Sequence, residues 1–245
     1  MRVELEIWLN HFEYHALHPR SVPAGLSDIL KPQERGLIAS SVATFQLGEQ
    51  SEGAHLQRAA QRFAQRHQAP ALARIVELFI REEQRHAALL REFMQDHAIA
   101  LKSRDWTDAV FRRARRVAGL ELYLHVLISA ELIGNVYYRA LEAATGCQRL
   151  KVLCRTLVGD ELAHVGFESQ LLLQLRARWP APVRPAVRMA HRVFFAATAG
   201  VVWATQRRLL RHVGYHPGTF MRACLAQYAF YLEPTPATLP SASLE

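Results

Sequence analysis

Ile80-Arg-Glu-Glu-Gln-Arg-His86 and Val158-Gly-Asp-Glu-Leu-Ala-His164 align when Glu83 is set on Glu161. Both then read Glu-x-x-His, and both have an acid, Glu82 or Asp160, just before the glutamate. Residues three apart share one face of a helix, so each pair presents a carboxylate and an imidazole in the same direction. Outward from each pair the residues keep a helical period. Leu72, Ile75, Phe79, Glu83, His86, Leu90 and Phe93 form one stripe; Leu150, Leu153, Leu157, Glu161, His164, Glu168 and Leu171 form another. Two more stripes, Phe45, Glu49, Glu52, Leu56, Ala59, Phe63 and Leu120, Leu124, Leu127, Glu131, Gly134, Tyr138, Leu141, carry single carboxylates near their middles. Apolar stripes of this period face a core.

The expected fold class is all-α. Breaks fall near Pro70, over 98–108, at 144–146 and at 179–182, which predicts helices over about 34–66, 71–97, 108–143 and 148–178. A fifth is expected over 185–213 and a sixth over 217–232. Residues 1–35 read as an irregular covering segment, with strand-like alternation at Val3, Leu5 and Ile7. Residues 36–178 form the core domain, 179–233 a helical C-terminal extension, and 234–245 a flexible tail. Glu52 precedes Glu83 by 31 residues and Glu131 precedes Glu161 by 30, as two equivalent hairpins would place them.

The chain has 245 residues, half of them hydrophobic, and a formal charge of +8. That is a globular composition. Three cysteines, Cys147, Cys154 and Cys224, with no Cys-x-x-Cys spacing, argue against a disulfide framework or zinc knuckle. No signal-peptide core and no apolar run of membrane length are present, so a cytoplasmic protein with no membrane contact is expected. Nearly all the basic residues are arginine, and the densest cluster is Arg112-Arg113-x-Arg115-Arg116. Nucleotide-binding and serine-hydrolase motifs are absent.

Carboxylates on core stripes are expensive to desolvate unless partners or cations meet them. Four glutamates neutralise two divalent cations, and two imidazoles add ligands that suit iron; oxygen-rich coordination also suits manganese. The bland alternative is two buried Glu–His ion pairs that stitch helices together. On these residues the chain resembles ferritin-like di-iron carboxylate proteins over roughly 36–178. The stretch Phe45-Gln-Leu-Gly-Glu-Gln-Ser-Glu-Gly53 resembles uncharacterised bacterial members of that superfamily. The resemblance implies a four-helix bundle with Glu52, Glu83, His86, Glu131, Glu161 and His164 as metal ligands. It also implies two iron ions, with manganese or a mixed pair as the variant. Glu82 and Asp160 are similar to the acids of bacterial multicomponent monooxygenases that orient a ligating histidine from behind. Arg85 matches an arginine there, whereas Ala163 does not.

Several neighbours compete at the edges. Glu49 lies one turn from Glu52 and is the alternative first-helix ligand. Glu168 reads as a solvated stripe end or an extra ligand. His55 reads as a surface histidine; His125 and His191 read as structural. Tyr123, Tyr137 and Tyr138 read as packing, or as hosts of a radical or hydrogen-bond partners of a ligand. A pocket is expected between the first and third helices, walled by Phe45, Leu56, Leu127, Gly134 and Tyr138, with the fifth helix as its lid.

The function that the resemblance implies is oxidation or hydroxylation of a small, apolar or aromatic substrate by dioxygen. Electrons would come from a separate donor protein or from the substrate, because no redox-cofactor motif is present. The competing expectations are a ferroxidase, an RNA-modifying hydroxylase that uses the arginines, and a non-enzymatic helical interaction module. The fifth helix is a candidate face for a homodimer.

Overall fold

The computed structural model describes residues 5–50, 53–103 and 119–233. Among these residues all regular structure is helical. The elements are α1 (Leu5–Leu17), α2 (Pro32–Glu49), α3 (Ala54–His67), α4 (Pro70–Asp96), α5 (Leu120–Ala143), α6 (Gln148–Arg176), α7 (Arg184–His212) and α8 (Pro217–Leu232). No helix among the described residues is long and apolar enough to cross a membrane. Glu52, the Arg112–Arg116 cluster and the tail 234–245 lie outside the described residues.

Proline marks several starts. Pro32, Pro70, Pro185 and Pro217 occupy the first turns of α2, α4, α7 and α8, where a missing N–H costs nothing. Glu34 accepts a hydrogen bond from the Lys31 N–H at 3.3 Å with one oxygen. With the other it accepts from the Gly146 N–H at 3.0 Å, tying the start of α2 to the α5–α6 turn. Gln68 ends α3 in the left-handed conformation, and Pro70 starts α4 two residues later.

α5 and α6 form the most extensive helix pair. α4 packs against α2, α3 and α6 and carries α1 on its outside. α7 and α8 pack on each other and on α5; α7 also reaches α2, and α8 reaches α6. The α5 helix is buried on most of its circumference, because α3, α6, α7 and α8 together surround it.

Two expectations are corrected here. The stretch containing Leu5 and Ile7 is helical: Trp8 and Phe12, four apart, are its buried face, and helical spacing outweighs the short alternation. The single first helix over 34–66 is two helices, α2 and α3. Between them Gly53 adopts a left-handed φ of 63°, and Ile80 fills the space where a side chain would project.

Gly53→Ala would place its Cβ 2.6 Å from the Ile80 side chain on an unfavourable backbone. It should lower stability by about 1–3 kcal/mol in chemical denaturation. Gly36, exposed within α2, meets no atom within 4 Å, and Gly36→Ala should instead raise stability by about 0.5–1 kcal/mol.

Candidate metal centre

Four helices bring acids and imidazoles to one place in the core. α4 supplies Glu83 and His86, α6 supplies Glu161 and His164, α2 supplies Glu49, and α5 supplies Glu131. They form two overlapping groups, each with ligand atoms within 4.8 Å of one another. One is Glu49, Glu83, His86 and Glu161; the other is Glu83, Glu131, Glu161 and His164. Glu83 and Glu161 belong to both. His86 and His164 are fully buried, with ring centres 5.8 Å apart.

The imidazoles are held in a crossed pattern. His86 turns Nε2 to Asp160 Oδ2 at 3.1 Å, and His164 turns Nε2 to Glu82 Oε2 at 3.0 Å. Each ring is therefore oriented by the acid on the opposite helix. The other nitrogens face inward. His86 Nδ1 lies 3.5 Å from Glu83 Oε1 and 3.3 Å from Glu161 Oε1; His164 Nδ1 lies 3.1 Å from Glu83 Oε1 and 3.2 Å from Glu161 Oε2. A carboxylate behind a ligating histidine fixes its tautomer and raises its basicity.

Arginines close the outer side. Arg85 Nη2 bridges Asp160 Oδ2 at 2.5 Å and Glu82 Oε1 at 3.1 Å, and Arg20 Nε pairs with Asp160 Oδ1 at 3.0 Å. Arg85 also donates to the Arg20 carbonyl, which pins the segment after α1 over the site. Phe12 stacks on the His164 ring at 5.9 Å, and Phe79 packs on it at 4.4 Å.

The protonation balance shows what the cluster needs. Burial alone would raise the Glu82 carboxyl, but the His164 hydrogen bond and the charges of His164, His86 and Arg85 bring it down to about 2. Burial opposes ionisation of Glu83 too, yet the two histidines hold it well below the usual range. Burial also disfavours charged histidine, but Asp160, Glu161 and Glu83 around His86, and Glu161, Glu82 and Glu83 around His164, push both rings well above theirs. Glu49, Glu131 and Glu168 are pushed well above the usual carboxylate range by burial and by one another's neighbours. Two imidazoles cannot satisfy so many acids.

Among the described residues several buried atoms here lack a hydrogen bond: His86 Nδ1, Glu83 Oε1, and both oxygens of Glu131 and of Glu168. Oxygen and imidazole donors that converge unpaired suit a metal ion. The cluster can hold metal.

Glu49 occupies the α2 position of this site, and its Oε1 accepts a 2.5 Å hydrogen bond from the Tyr138 hydroxyl. A continuous helix counted from the turn near residue 69 favours Glu52. The break at Gly53 interrupts that count, and Glu52 itself lies outside the described residues. Glu168 is 1% exposed and sits beside Glu131 of α5, so the expected solvated stripe end is corrected: it faces the core. His55 is exposed and lies 3.1 Å from an Arg58 nitrogen. Tyr137 accepts a 2.7 Å hydrogen bond from Ser41 and stacks on Phe45; Tyr123 is buried. His125 and His191 stack on each other with Arg176 against them.

A cavity of about 150 Å³ adjoins the carboxylate side. Glu49, Glu83, Glu131 and Glu161 reach its floor, and Phe45, Leu127, Gly134 and Tyr138 are among its walls. α7 forms the far wall through Thr198, Val201, Val202, Thr205 and Gln206. Leu56 is buried in the core but does not line it. Gly48 and Thr205, both exposed, stand at the mouth. Thr44, Thr198 and Thr205 turn their hydroxyls back to the carbonyls of Ser40, Phe194 and Val201, so they present mainly methyl surface. No protein-family profile, curated protein or solved structure matches this chain.

Asp160→Asn and Glu82→Gln remove the acids behind the rings while keeping their shape. Each should weaken divalent-metal affinity by about 10–100-fold in a chelator-competition titration. The double variant His86→Ala/His164→Ala should bind no metal, and unchanged metal content in that variant would remove the site.

Proposed function

We propose that this chain is a di-iron carboxylate oxidoreductase of the ferritin-like type. In this reading α2 with α3, α4, α5 and α6 form its four-helix bundle, and dioxygen is used to oxidise or hydroxylate a small apolar or aromatic molecule. The observation that carries the reading is the shared pair Glu83 and Glu161. Two ligand groups overlap on them, as a dinuclear site requires. Iron is the first choice, with manganese or a mixed pair as the variant.

A reduced iron pair, when bound, supplies electrons for the activation of dioxygen. The protein's own residues do the rest. Glu83 and Glu161, which belong to both ligand groups, would be shared by both metals. His86 would hold one metal and His164 the other through Nδ1, with each Nε2–H kept on Asp160 or Glu82. Glu49 and Glu131 would serve as terminal carboxylates facing the cavity, and the Tyr138 hydroxyl steadies Glu49. Both histidines and the arginine layer stand on the opposite side. Among the described residues the cavity is the approach open to a substrate, and Phe12, Phe79 and α1 cover the histidine side.

The cavity sets the size of the substrate. A dry apolar cavity of about 150 Å³ accommodates a molecule the size of benzene. Gly48 and Gly134 line it, and a Cβ on either would meet nothing closer than 3.9 Å. Helix packing therefore does not require these glycines, although glycine costs a helix interior about 1 kcal/mol relative to alanine. Their missing side chains are part of the cavity's volume. The sequence carries no flavin, nicotinamide or iron–sulfur motif, so a separate electron-donor protein is proposed.

The test is anaerobic loading with ferrous iron followed by an oxygen pulse in stopped-flow absorbance. A transient visible band is expected; uptake of two ferrous ions per chain with no oxygen-dependent change would eliminate the oxygenase reading. A ferroxidase would instead release ferric product and, as a storage protein, elute as a large cage with an iron core. Gly134→Leu should fill the cavity. The rise in melting temperature produced by toluene in the wild-type protein should then require about tenfold more ligand or vanish, equivalent to a loss of about 1.4 kcal/mol.

A further inference from the structure

A second concavity, of about 620 Å³, lies between the end of α6, the first turns of α7 and the end of α8. Its size is that of a small-molecule site. Arg176 projects from the last turn of α6, some 15 residues beyond Glu161, or about 22 Å along the helix. The metal centre and this concavity are thus separate places.

The charge here is unbalanced. Arg176 is 6% exposed and lines the concavity, and its Nε has no hydrogen-bond partner. Its Nη2 contacts His125 Nδ1 at 3.2 Å and His191 Nδ1 at 2.6 Å. Burial and the nearby guanidinium keep these rings neutral, with His125 lowered to about 3 and His191 to about 4. They accept hydrogen bonds but offer no negative charge. Among the described residues no carboxylate lies within ion-pair distance of Arg176; Glu121 and Glu233 act on it only from further away. Arginine stays charged under almost any conditions, and a buried unpaired charge is costly.

Three further arginines surround it. Arg184 caps the end of α6, donating to the Trp179 carbonyl at 2.8 Å and the Ala177 carbonyl at 2.7 Å, and meets no acid among the described residues. Arg188 makes no ion pair among the described residues. Only Arg192 is paired, with Glu233 at 3.1 Å. Arg184, Arg188 and Arg192 repeat at i, i+4, an arrangement in which like charges repel by a few tenths of a kcal/mol per pair. Trp179 and Met189 supply an exposed apolar flank beside these cations.

We infer that this concavity is a binding site for a phosphoryl group carried on an apolar or aromatic body. The phosphoryl group would be held by Arg176, Arg184 and Arg188, and the body would pack against Trp179 and Met189. A dianion matches three unpaired guanidinium groups better than a carboxylate does, and the arginine fork donates two parallel hydrogen bonds to phosphate. The inference is independent of the metal centre's chemistry.

Calorimetric titration with phenyl phosphate and with inorganic phosphate tests it in the full chain. The wild type should bind one phenyl phosphate saturably, more tightly than inorganic phosphate. Arg184→Ala and Arg188→Ala should each weaken binding by about tenfold, the worth of one charge-assisted contact. Arg207→Ala/Arg208→Ala, an exposed pair further along α7, should leave binding unchanged. Arg176→Lys, which keeps the charge but loses the fork, should weaken it without unfolding the chain, as read by circular dichroism. Sedimentation with phosphatidic acid vesicles, lost in the same variants, would assign the phosphoryl group to a lipid head; binding of phenyl phosphate without vesicle binding would assign it to a soluble ligand. The inference is overturned if the wild type gives no saturable heat at millimolar phenyl phosphate, if the Arg207/Arg208 variant loses as much affinity as Arg188→Ala, or if acetate binds equally well.

Discussion

The structure depends on the burial of more negative charge than its own side chains can neutralise. Glu49, Glu83, Glu131, Glu161 and Glu168 converge from four helices on two imidazoles. In a low-dielectric interior, such a group either takes up protons or is met by cations. Both responses are visible in the balance of the site: Glu83 is held ionised by His86 and His164, while Glu49, Glu131 and Glu168 are pushed toward the neutral form. Oxygens left without hydrogen bonds at Glu131 and Glu168 mark where that compensation is incomplete. The apolar packing around them holds the cluster together against its own repulsion.

A second layer of charge makes that arrangement directional. Glu82 and Asp160 each hold the histidine of the opposite helix, and Arg85 and Arg20 neutralise the acids from outside. Each imidazole is thereby turned inward through Nδ1. The same layer explains the N-terminal segment. α1 lays Trp8 and Phe12 over the histidine side, with the Trp8 ring close against Gly166 and its Nε1 donating to Gln170 at 2.9 Å. The segment that follows brings in Arg20. Among the described residues the histidine side is covered, and the cavity opens on the carboxylate side.

α7 joins the two concave features of the molecule. Its middle turns, Thr198 to Gln206, wall the cavity beside the carboxylates. Its first turns carry the arginines of the basic concavity and leave Met189 and Val193 exposed. One helix thus has an apolar stretch that completes the core and a charged stretch that does not. The apolar run from Val193 to Trp203 follows from this position: Phe195 and Ala199 are fully buried against neighbouring helices.

Much of this was legible in the sequence, because period and residue type are local properties. The Glu-x-x-His repeat put Glu83, His86, Glu161 and His164 on inward faces, and the single acids on two other stripes pointed to partners. Helix limits followed from prolines and turn residues, and α4, α6, α7 and α8 lie within two residues of their expected ends at both termini. What the sequence could not carry was the relative height of helices. Glu49 stands in the described cluster, on a helix that ends before Gly53, where a left-handed residue sits against Ile80, a contact 27 residues away; Glu52 lies outside the described residues. Glu168 reads as a stripe end in one dimension, yet it is buried because other helices close over it. The crossed pairing of Glu82 with His164 and Asp160 with His86 likewise requires α4 and α6 to be side by side. Nothing in local periodicity sets Arg176 apart; packing removes it from water and, among the described residues, leaves it without an acid. Burial depth and pairing between distant helices are decided by tertiary packing, because each depends on residues that local periodicity never compares.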